Sequence, residues 1–180
     1  NHSNAIEYDE NFNPNKIVSD YLMFNSTNSM DTAEIQNFLA SKNSYLAQYS
    51  TEDANGEIKS AAEIIYDASQ TYQVNPQAVI VLLQKEQGLI QKSEKSQKRL
   101  DWATGYAVCD SCSKNSAKVI KYKGFGKQVD NGAGAMRFYK ENMDRYAFIK
   151  NVGQAYNIDG ETVLPENFAT SALYTYTPHI

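Results

Sequence analysis

The sequence predicts a mainly α-helical fold, organised as a single domain over residues 1–180. Two capping boxes, Asp31-Thr32-Ala33-Glu34 and Ser60-Ala61-Ala62-Glu63, each precede apolar residues that recur with helical period. A third start signal, Asn75-Pro76, opens the most apolar run of the chain. The chain has 180 residues, of which 42% are hydrophobic, and this is enough to bury one sizeable core.

The two capping boxes predict the first two helices. Met30 and Ile35 occupy the positions of a hydrophobic staple, which predicts a helix over residues 32–41. A second helix over residues 61–72 follows from apolar side chains at helical spacing. These side chains are Ala61, Ile64, Ile65, Ala68 and Tyr72.

The rest of the chain alternates irregular segments with two later helices. The helical period returns at Phe125 and ends near Met143, and a short helix begins near residue 167 and stops before Pro178. Four other segments are expected to be irregular. They are an extended arm at residues 1–29 packed on the domain, a loop at 50–56, and two long segments, 91–124 and 144–166, that line a cleft.

The helix that starts at Pro76 is expected to lie in the middle of the fold. Residues 78–83 are apolar without interruption, and a helix that is apolar all round is typically buried. Gly88 ends the helix. Glu86 therefore stands in its last turn, on the same face as Leu82 and Leu83, while Lys85 is expected to point to another face.

This position favours the protonated form of the Glu86 carboxyl group. Apolar neighbours remove water, and the negative end of the helix dipole disfavours a second negative charge. A carboxylic acid that stays protonated near neutral pH can donate a proton to a leaving oxygen, as the general acid of glycosidic bond cleavage does. The alternative is a glutamate that emerges into solvent where the helix ends.

Charge is distributed unevenly along the chain. The net charge is −4, but residues 85–127 hold ten basic and four acidic side chains, a local balance of +6. This segment is either a solvated basic face or a surface that attracts an anionic polymer. Because nucleic-acid-binding domains are more often basic overall, we expect no nucleic-acid partner. No apolar run approaches the length of a membrane span.

Cys109 and Cys112 are the two cysteines of the chain, in the motif C-D-S-C. A structural zinc site usually needs four ligands, and the flanking residues do not provide the strand and helix of a redox motif. We therefore expect a local disulfide in an oxidising compartment, and neither a metal nor another cofactor. Residues 1–14 lack a signal-peptide pattern, so a signal has been removed or the sequence is an excised domain.

Residues 74–90, V-N-P-Q-A-V-I-V-L-L-Q-K-E-Q-G-L-I, resemble the catalytic-helix motif of the lysozyme-like superfamily. The resemblance is to bacterial lytic transglycosylases and goose-type lysozymes in particular. Gln87 stands where those proteins usually have Ser. Four further stretches resemble secreted bacterial proteins with this domain. They are S-A-A-E-I-I-Y-D-A-S-Q, G-Y-A-V-C-D-S-C, Y-K-G-F-G-K-Q-V and L-Y-T-Y-T-P-H. The resemblance as a whole spans residues 14–180.

The resemblance implies a secreted or cell-surface bacterial enzyme, acting as a monomer, that cleaves the β-1,4 bond between N-acetylmuramic acid and N-acetylglucosamine in peptidoglycan. Glu86 matches the single acid/base of lytic transglycosylases, which release 1,6-anhydro products. The resemblance also suggests substrate contacts from five side chains, those of Gln87, Tyr106, Gln128, Tyr174 and Tyr176. A tyrosine of the last helix is the candidate to hold Glu86 in place, and core packing is the alternative for each tyrosine.

Two other functions remain open at this stage. A hydrolytic muramidase or chitinase-like glycosidase would need a second carboxylate, for which Asp101 and Asp110 are the candidates. A catalytically inactive domain that binds cell-wall glycan is the third possibility, and Gln87 in place of Ser is compatible with it.

Overall fold

The computed structural model describes residues 12–108 and 113–179. About half of these residues are helical, and two small two-stranded antiparallel sheets account for the strands. The prediction of a mainly helical chain is confirmed. The residues gather into a larger compact unit, Tyr21–Phe138, and a smaller one that combines Asn1–Asp20 with Tyr139–Ile180.

Seven helices and the first strand pair occur in the described residues between 20 and 141. The helices are α1 (Asp20–Phe24), α2 (Thr32–Ser41), α3 (Ala61–Tyr72), α4 (Pro76–Gln87), α5 (Gln97–Asp101), α6 (Ala117–Ile120) and α7 (Phe125–Glu141). Strands β1 (Ser50–Glu52) and β2 (Ile58–Ser60) pair with Ser50 opposite Ser60, and a 3-10 turn spans Tyr45–Gln48.

The caps read from the sequence define the helix ends. The capping boxes of α2 and α3 are both formed, with Asp31 and Ser60 as the N-caps. Helix α4 begins at Pro76 behind the N-cap Asn75, and it ends at Gly88, whose φ of 65° places it in the left-handed region. These three helices have the predicted bounds.

All four segments predicted to be irregular contain short regular elements. Residues 50–56 belong to the β1–β2 hairpin, residues 97–101 form α5, and the predicted arm contains α1. Each of these strands and helices has three to five residues, which is too short for a hydrophobic period to be recognised. Residues 144–166 likewise contain a strand pair.

The core of the larger unit includes buried side chains of α2, α3 and α4. Ile35, Leu39, Ile65 and Leu83 are all fully buried. Val81, however, is 63% exposed, so α4 is not buried on all sides as its sequence predicted. One face of α4 therefore reaches the surface, and the apolar run overstates its burial.

The smaller unit is built from the chain's two ends. It contains a 3-10 turn (Met143–Arg145), strands β3 (Tyr156–Ile158) and β4 (Glu161–Val163), and helix α8 (Phe168–Tyr176). Ile158, Val163 and Tyr174 pack together as a buried cluster.

Residues 12–20 of the predicted arm are bonded to the C-terminal segment of the same unit. The Tyr174 hydroxyl donates to the carbonyl of Pro14 at 2.9 Å, and the Ile17 N–H donates to Thr170 Oγ1 at 3.0 Å. The packing of the whole predicted arm, residues 1–29, on the domain stays a prediction.

Across residues 12–108 and 113–179, none of the helices is both long enough and apolar enough to cross a bilayer.

Candidate functional site

Glu86 lies in the last turn of α4, and its side chain is 21% exposed. Leu82 and Leu83, four and three positions earlier, are buried on the same face, as the helical spacing predicted. The carboxyl group is thus shielded on one side and accessible on another. This is the exposure that a group needs to exchange a proton with a bound molecule.

Lys85 lies closer to this carboxyl group than the sequence predicted. Its Nζ is 3.8 Å from Glu86 Oε1, so the adjacent side chain turns toward Glu86 instead of away from it. Burial lowers the pKa of Lys85, and the negative charge of Glu86 acts in the opposite direction. The ion pair is long, and the Lys85 side chain is 47% exposed, so the attraction is weak.

The loop after α5 approaches the other carboxylate oxygen. Gly105 has a φ of +69°, and a Cβ atom at this position would lie 2.9 Å from Glu86 Oε2. Real Cβ atoms do not approach an oxygen this closely, so a side chain here would displace the Glu86 carboxylate. The absence of a side chain at residue 105 lets the loop backbone cover one side of Glu86.

Gln128 fixes this loop from within. Its side-chain Oε1 accepts from the Tyr106 N–H at 3.1 Å, and its Nε2 donates to the carbonyls of Tyr106 at 3.1 Å and Tyr122 at 2.9 Å. Gln128 is 0% exposed. The prediction that Gln128 contacts substrate is therefore corrected: a side chain without accessible surface, whose amide is bonded to backbone, supports the loop instead.

A second contact ties the same loop to α7. The Thr104 hydroxyl donates to the Gln128 carbonyl at 2.7 Å. Gly132, one helical turn after Gln128, leaves the space that Thr104 fills, because a Cβ there would lie 2.9 Å from Thr104 Oγ1. The fully buried Thr104 thus bonds to the backbone of residue 128 and packs against Gly132, and both contacts tie the loop to α7.

Tyr106 is half-buried beside the site. Its ring meets that of Tyr122 edge to face, with centroids 5.0 Å apart. Burial raises the pKa of Tyr106, and Tyr122 raises it further, while the positive charge of Lys121 acts in the opposite direction. Tyr106 therefore presents a neutral, partly accessible aromatic ring next to the residue that faces Glu86.

Gln87 follows Glu86 and is partly exposed. Its backbone carbonyl accepts a hydrogen bond from Arg99 Nη1. A cation at this position stabilises the C-terminal end of α4, where unpaired carbonyl groups collect. Arg99 was not among the candidate residues, although a basic side chain shortly after a helix end is a recognisable signal.

A second group of polar residues, also missed from the sequence, lies on α3 and α7. The Tyr72 hydroxyl donates to Asp130 Oδ2 at 3.1 Å. Burial raises the pKa of Asp130, the Tyr72 hydrogen bond lowers it, and the charge of Asp53 raises it. Burial, with Asp130 adding to it, raises the pKa of Tyr72 to about 12.

Asp130 also lines a cavity of about 300 Å³ between α3, the β1–β2 hairpin and the start of α7. Lys59 lies in the same lining and bonds to Asp53 and Asp67, each at 2.9 Å. Hydrogen bonds from Lys59 and from the Glu57 backbone lower the pKa of Asp53. The carboxylates of Asp53 and Asp67 are thus paired with Lys59.

Three further candidate residues belong to helices α5 and α8. Tyr174 and Tyr176 are on α8 in the smaller unit, where Tyr174 is 1% exposed and the Tyr176 ring lies 6.5 Å from that of Tyr139. The oxygens of Asp101 bond to Lys123 at 3.4 Å and to Gln97 at 2.9 Å. Three candidates, Cys109, Cys112 and Asp110, lie outside the described residues, so the disulfide stays a prediction.

Comparison with known proteins places the chain in a family. No curated protein and no solved structure matches it. The family model described as "LasA, N-terminal domain" matches residues 16–147, which include α2 to α7, Glu86 and the loop that contacts it. Since the match covers well over half of the sequence, the chain belongs to the LasA N-terminal domain family.

Proposed function

We propose that the chain cleaves the β-1,4 bond between N-acetylmuramic acid and N-acetylglucosamine in peptidoglycan, as a lytic transglycosylase with Glu86 as its acid/base. The lysozyme-like resemblance of residues 74–90 suggests the reaction. The observation that carries the proposal is the setting of Glu86. Leu83 and the backbone of Gly105 shield its side chain, yet 21% of it stays exposed.

One carboxyl group can perform both steps of this reaction. Glu86, protonated, donates its proton to the glycosidic oxygen as the bond from that oxygen to the anomeric carbon breaks. The resulting carboxylate then takes the proton of the muramic C6 hydroxyl, whose oxygen bonds to the anomeric carbon. The products are a 1,6-anhydro sugar and a free hydroxyl, and Glu86 regains its proton. No water is consumed.

The loop residues suggest how a sugar would be held. Tyr106 offers a neutral ring face that a pyranose can stack on, next to the Gly105 backbone that contacts Glu86. Gln87 is partly exposed and one residue from the acid, so its amide can bond an N-acetyl group or a hydroxyl. A secreted or cell-surface location and action as a monomer belong to the same proposal.

A second candidate, glycan binding without catalysis, is favoured by Lys85. Its Nζ lies 3.8 Å from Glu86 Oε1, so an ammonium donor and a carboxylate acceptor stand side by side and can both bond sugar hydroxyls. A hydrolytic glycosidase has less support, because Asp101, one of its two candidate second carboxylates, bonds to Lys123 and Gln97.

Digestion of purified peptidoglycan, with products read by mass spectrometry, separates these functions. Wild type is compared with Glu86→Gln and with Glu94→Gln, an exposed carboxylate in the same unit. Anhydro-muropeptides from wild type and Glu94→Gln, but not from Glu86→Gln, would support the proposal. Products heavier by one water would indicate hydrolysis. No product from wild type, with retained binding to peptidoglycan, would support the second candidate.

A further inference from the structure

We propose that Gln128 is a positioning residue that holds the Thr104–Tyr106 segment against the Glu86 carboxyl group, and so sets the hydration of the acid. The proposal rests on the proposed catalytic role of Glu86. Gln128 contacts neither Glu86 nor a substrate in this role. It acts through the backbone of the segment.

The side-chain amide of Gln128 makes three hydrogen bonds to the backbone of two loop residues. One primary amide pairs with both backbone groups of Tyr106, accepting from the N–H and donating to the carbonyl, each at 3.1 Å. The second N–H of the amide bonds to the Tyr122 carbonyl at 2.9 Å. Three bonds from one planar group fix both the position and the orientation of the segment. An Asn side chain is one methylene shorter and does not span the same gap.

Losing the Gln128 amide is costly because its surroundings exclude water. Gln128 is fully buried and its bonds to Tyr106 and Tyr122 are part-buried, so removing its amide leaves three backbone groups without their partner at a place where water has limited access. Each such group costs about 1–3 kcal/mol. The segment then lowers its free energy by shifting until water reaches these groups.

Gly105 links the backbone held by Gln128 to the Glu86 carboxyl group. Gly105 precedes Tyr106 directly, and a Cβ at residue 105 would lie only 2.9 Å from Glu86 Oε2. A shift that admits water to Tyr106 therefore also moves the backbone that covers Glu86. Water then reaches the carboxyl group from a side that is closed in the native structure.

Thr104 holds the segment at a second point, which keeps the segment folded when the Gln128 amide is lost. Thr104 is fully buried, and its hydroxyl bonds to the main-chain carbonyl of residue 128, which every variant at that position retains. The expected result of losing the Gln128 amide is thus a displaced segment in a folded chain.

The test compares Gln128→Met and Gln128→Asn with Gln36→Met. Gln36 makes a matched control because its Nε2 also donates to a backbone carbonyl, that of Ala47 at 2.7 Å, within the larger unit. Circular dichroism establishes folding. NMR at constant pH then follows the amide signals of Gly105 and Tyr106 and the ¹³Cδ signal of Glu86, and kinetics give kcat and KM for peptidoglycan cleavage.

For both Gln128 variants we expect shifted Gly105, Tyr106 and Glu86 signals, and a kcat lowered by about 10- to 100-fold with KM unchanged, as for a misplaced catalytic group. Gln36→Met should leave these signals and kcat as in wild type. A folded Gln128→Met with native Glu86 signals and native kcat would overturn the proposal.

Two further outcomes are informative. If wild type does not cleave peptidoglycan, the proposed function fails, and the NMR signals alone decide whether Gln128 positions the segment. If both Gln128 variants unfold, the Tyr106 N–H of wild type tests the same contact, because its exchange with solvent requires its bond to Gln128 Oε1 to open. Exchange of the Tyr106 N–H at the rate of an unprotected amide would then overturn the proposal.

Discussion

Glu86 lies between its own helix and a loop that comes from a later part of the chain. Leu82 and Leu83 precede it on the same helix, and helical spacing alone places them beside it. Gly105 comes from a loop whose course depends on Gln128, a residue of another helix. Local sequence has no signal for such a contact, so the glycine that faces the acid could not be identified beforehand.

Gly105→Ala should damage the site at a single atom. Alanine at a φ of +69° is strained, and its Cβ would press on Glu86 Oε2 at 2.9 Å. We expect destabilisation near the approximately 1–2 kcal/mol of a left-handed non-glycine residue, because the carboxylate ends a flexible side chain and moves aside. The displaced carboxylate should reduce peptidoglycan cleavage. Urea denaturation and product release measure the two effects.

Gly56→Ala provides the control for backbone strain in the same unit. Gly56 has a φ of +90°, and a Cβ there meets nothing within 4 Å. Its cost should stay near the strain value alone, with cleavage unchanged. Normal cleavage by Gly105→Ala would mean that the loop does not constrain Glu86.

Asp130→Asn should stabilise the protein at neutral pH. The folded-state pKa of Asp130 is raised, chiefly by burial, above that of an exposed aspartate. Its contribution to stability is therefore full below the unfolded pKa of about 3.9 and is lost as pH rises through the folded pKa. Asparagine stays neutral and can still accept the Tyr72 hydroxyl, so it avoids this loss.

The measurement is urea denaturation of wild type and Asp130→Asn at about pH 3 and at pH 7, on either side of the ordinary aspartate pKa. We expect the variant to be more stable than wild type at pH 7 and to show a smaller difference at the acidic pH. Glu94→Gln, at an exposed position, should change stability little at either pH. A variant that is less stable than wild type at pH 7 would contradict the assignment of burial as the dominant cause.

At the scale of elements, capping signals predicted more than composition did. Helices α2, α3 and α4 were predicted with their observed bounds because each has a local start signal. The β1–β2 hairpin and α5 were missed, because elements of three to five residues carry no period. The burial of α4 was overestimated, since the exposure of Val81 depends on where neighbouring elements end.

Asn75→Ala should destabilise the larger unit more than an exposed cap substitution does. Asn75 is 4% exposed, and its side chain accepts from the Gln77 N–H and the Ser29 hydroxyl and donates to the Leu22 carbonyl. Losing a cap costs about 1 kcal/mol, and unpaired buried partners add about 1–3 kcal/mol. Chemical denaturation of the variant measures the sum.

Asp31→Ala is the matched comparison, because Asp31 caps α2 through an exposed bond to the Glu34 N–H. It should cost about 1 kcal/mol, the value of a cap alone. If Asn75→Ala costs no more than Asp31→Ala, the bonds from Asn75 to Ser29 and Leu22 contribute nothing measurable.

At the scale of the whole chain, the sequence predicted one domain with an arm at residues 1–29, and the described residues gather into two compact units, the smaller of which includes residues 12–20 of that arm. The arm is polar and its bonds reach residues at the opposite end of the chain, so no local pattern marks its partner. The uneven charge, by contrast, is read directly from the sequence: the +6 segment at residues 85–127 contains Glu86 and the loop that covers it. An anionic polymer would be attracted to this segment.

Deleting the arm through Val18 should loosen the smaller unit. The deletion removes the Pro14 carbonyl that accepts from Tyr174, the Ile17 N–H that donates to Thr170, and the Val18 carbonyl that accepts from Asn167. Asn15, whose side chain accepts from the Leu164 N–H at 2.7 Å, is lost as well. These bonds hold both ends of α8 and the strand end before it.

Hydrogen exchange measured by mass spectrometry tests this prediction segment by segment. Amides in residues 163–176 should exchange faster after the deletion, because local opening no longer breaks the bonds to the arm. Tyr174→Phe, which removes one hydroxyl bond costing about 1 kcal/mol, should accelerate exchange in the same residues by a smaller factor. Residues 61–87, in the larger unit, serve as the internal reference. Unchanged exchange in residues 163–176 after the deletion would show that the smaller unit holds its C-terminal helix without the arm.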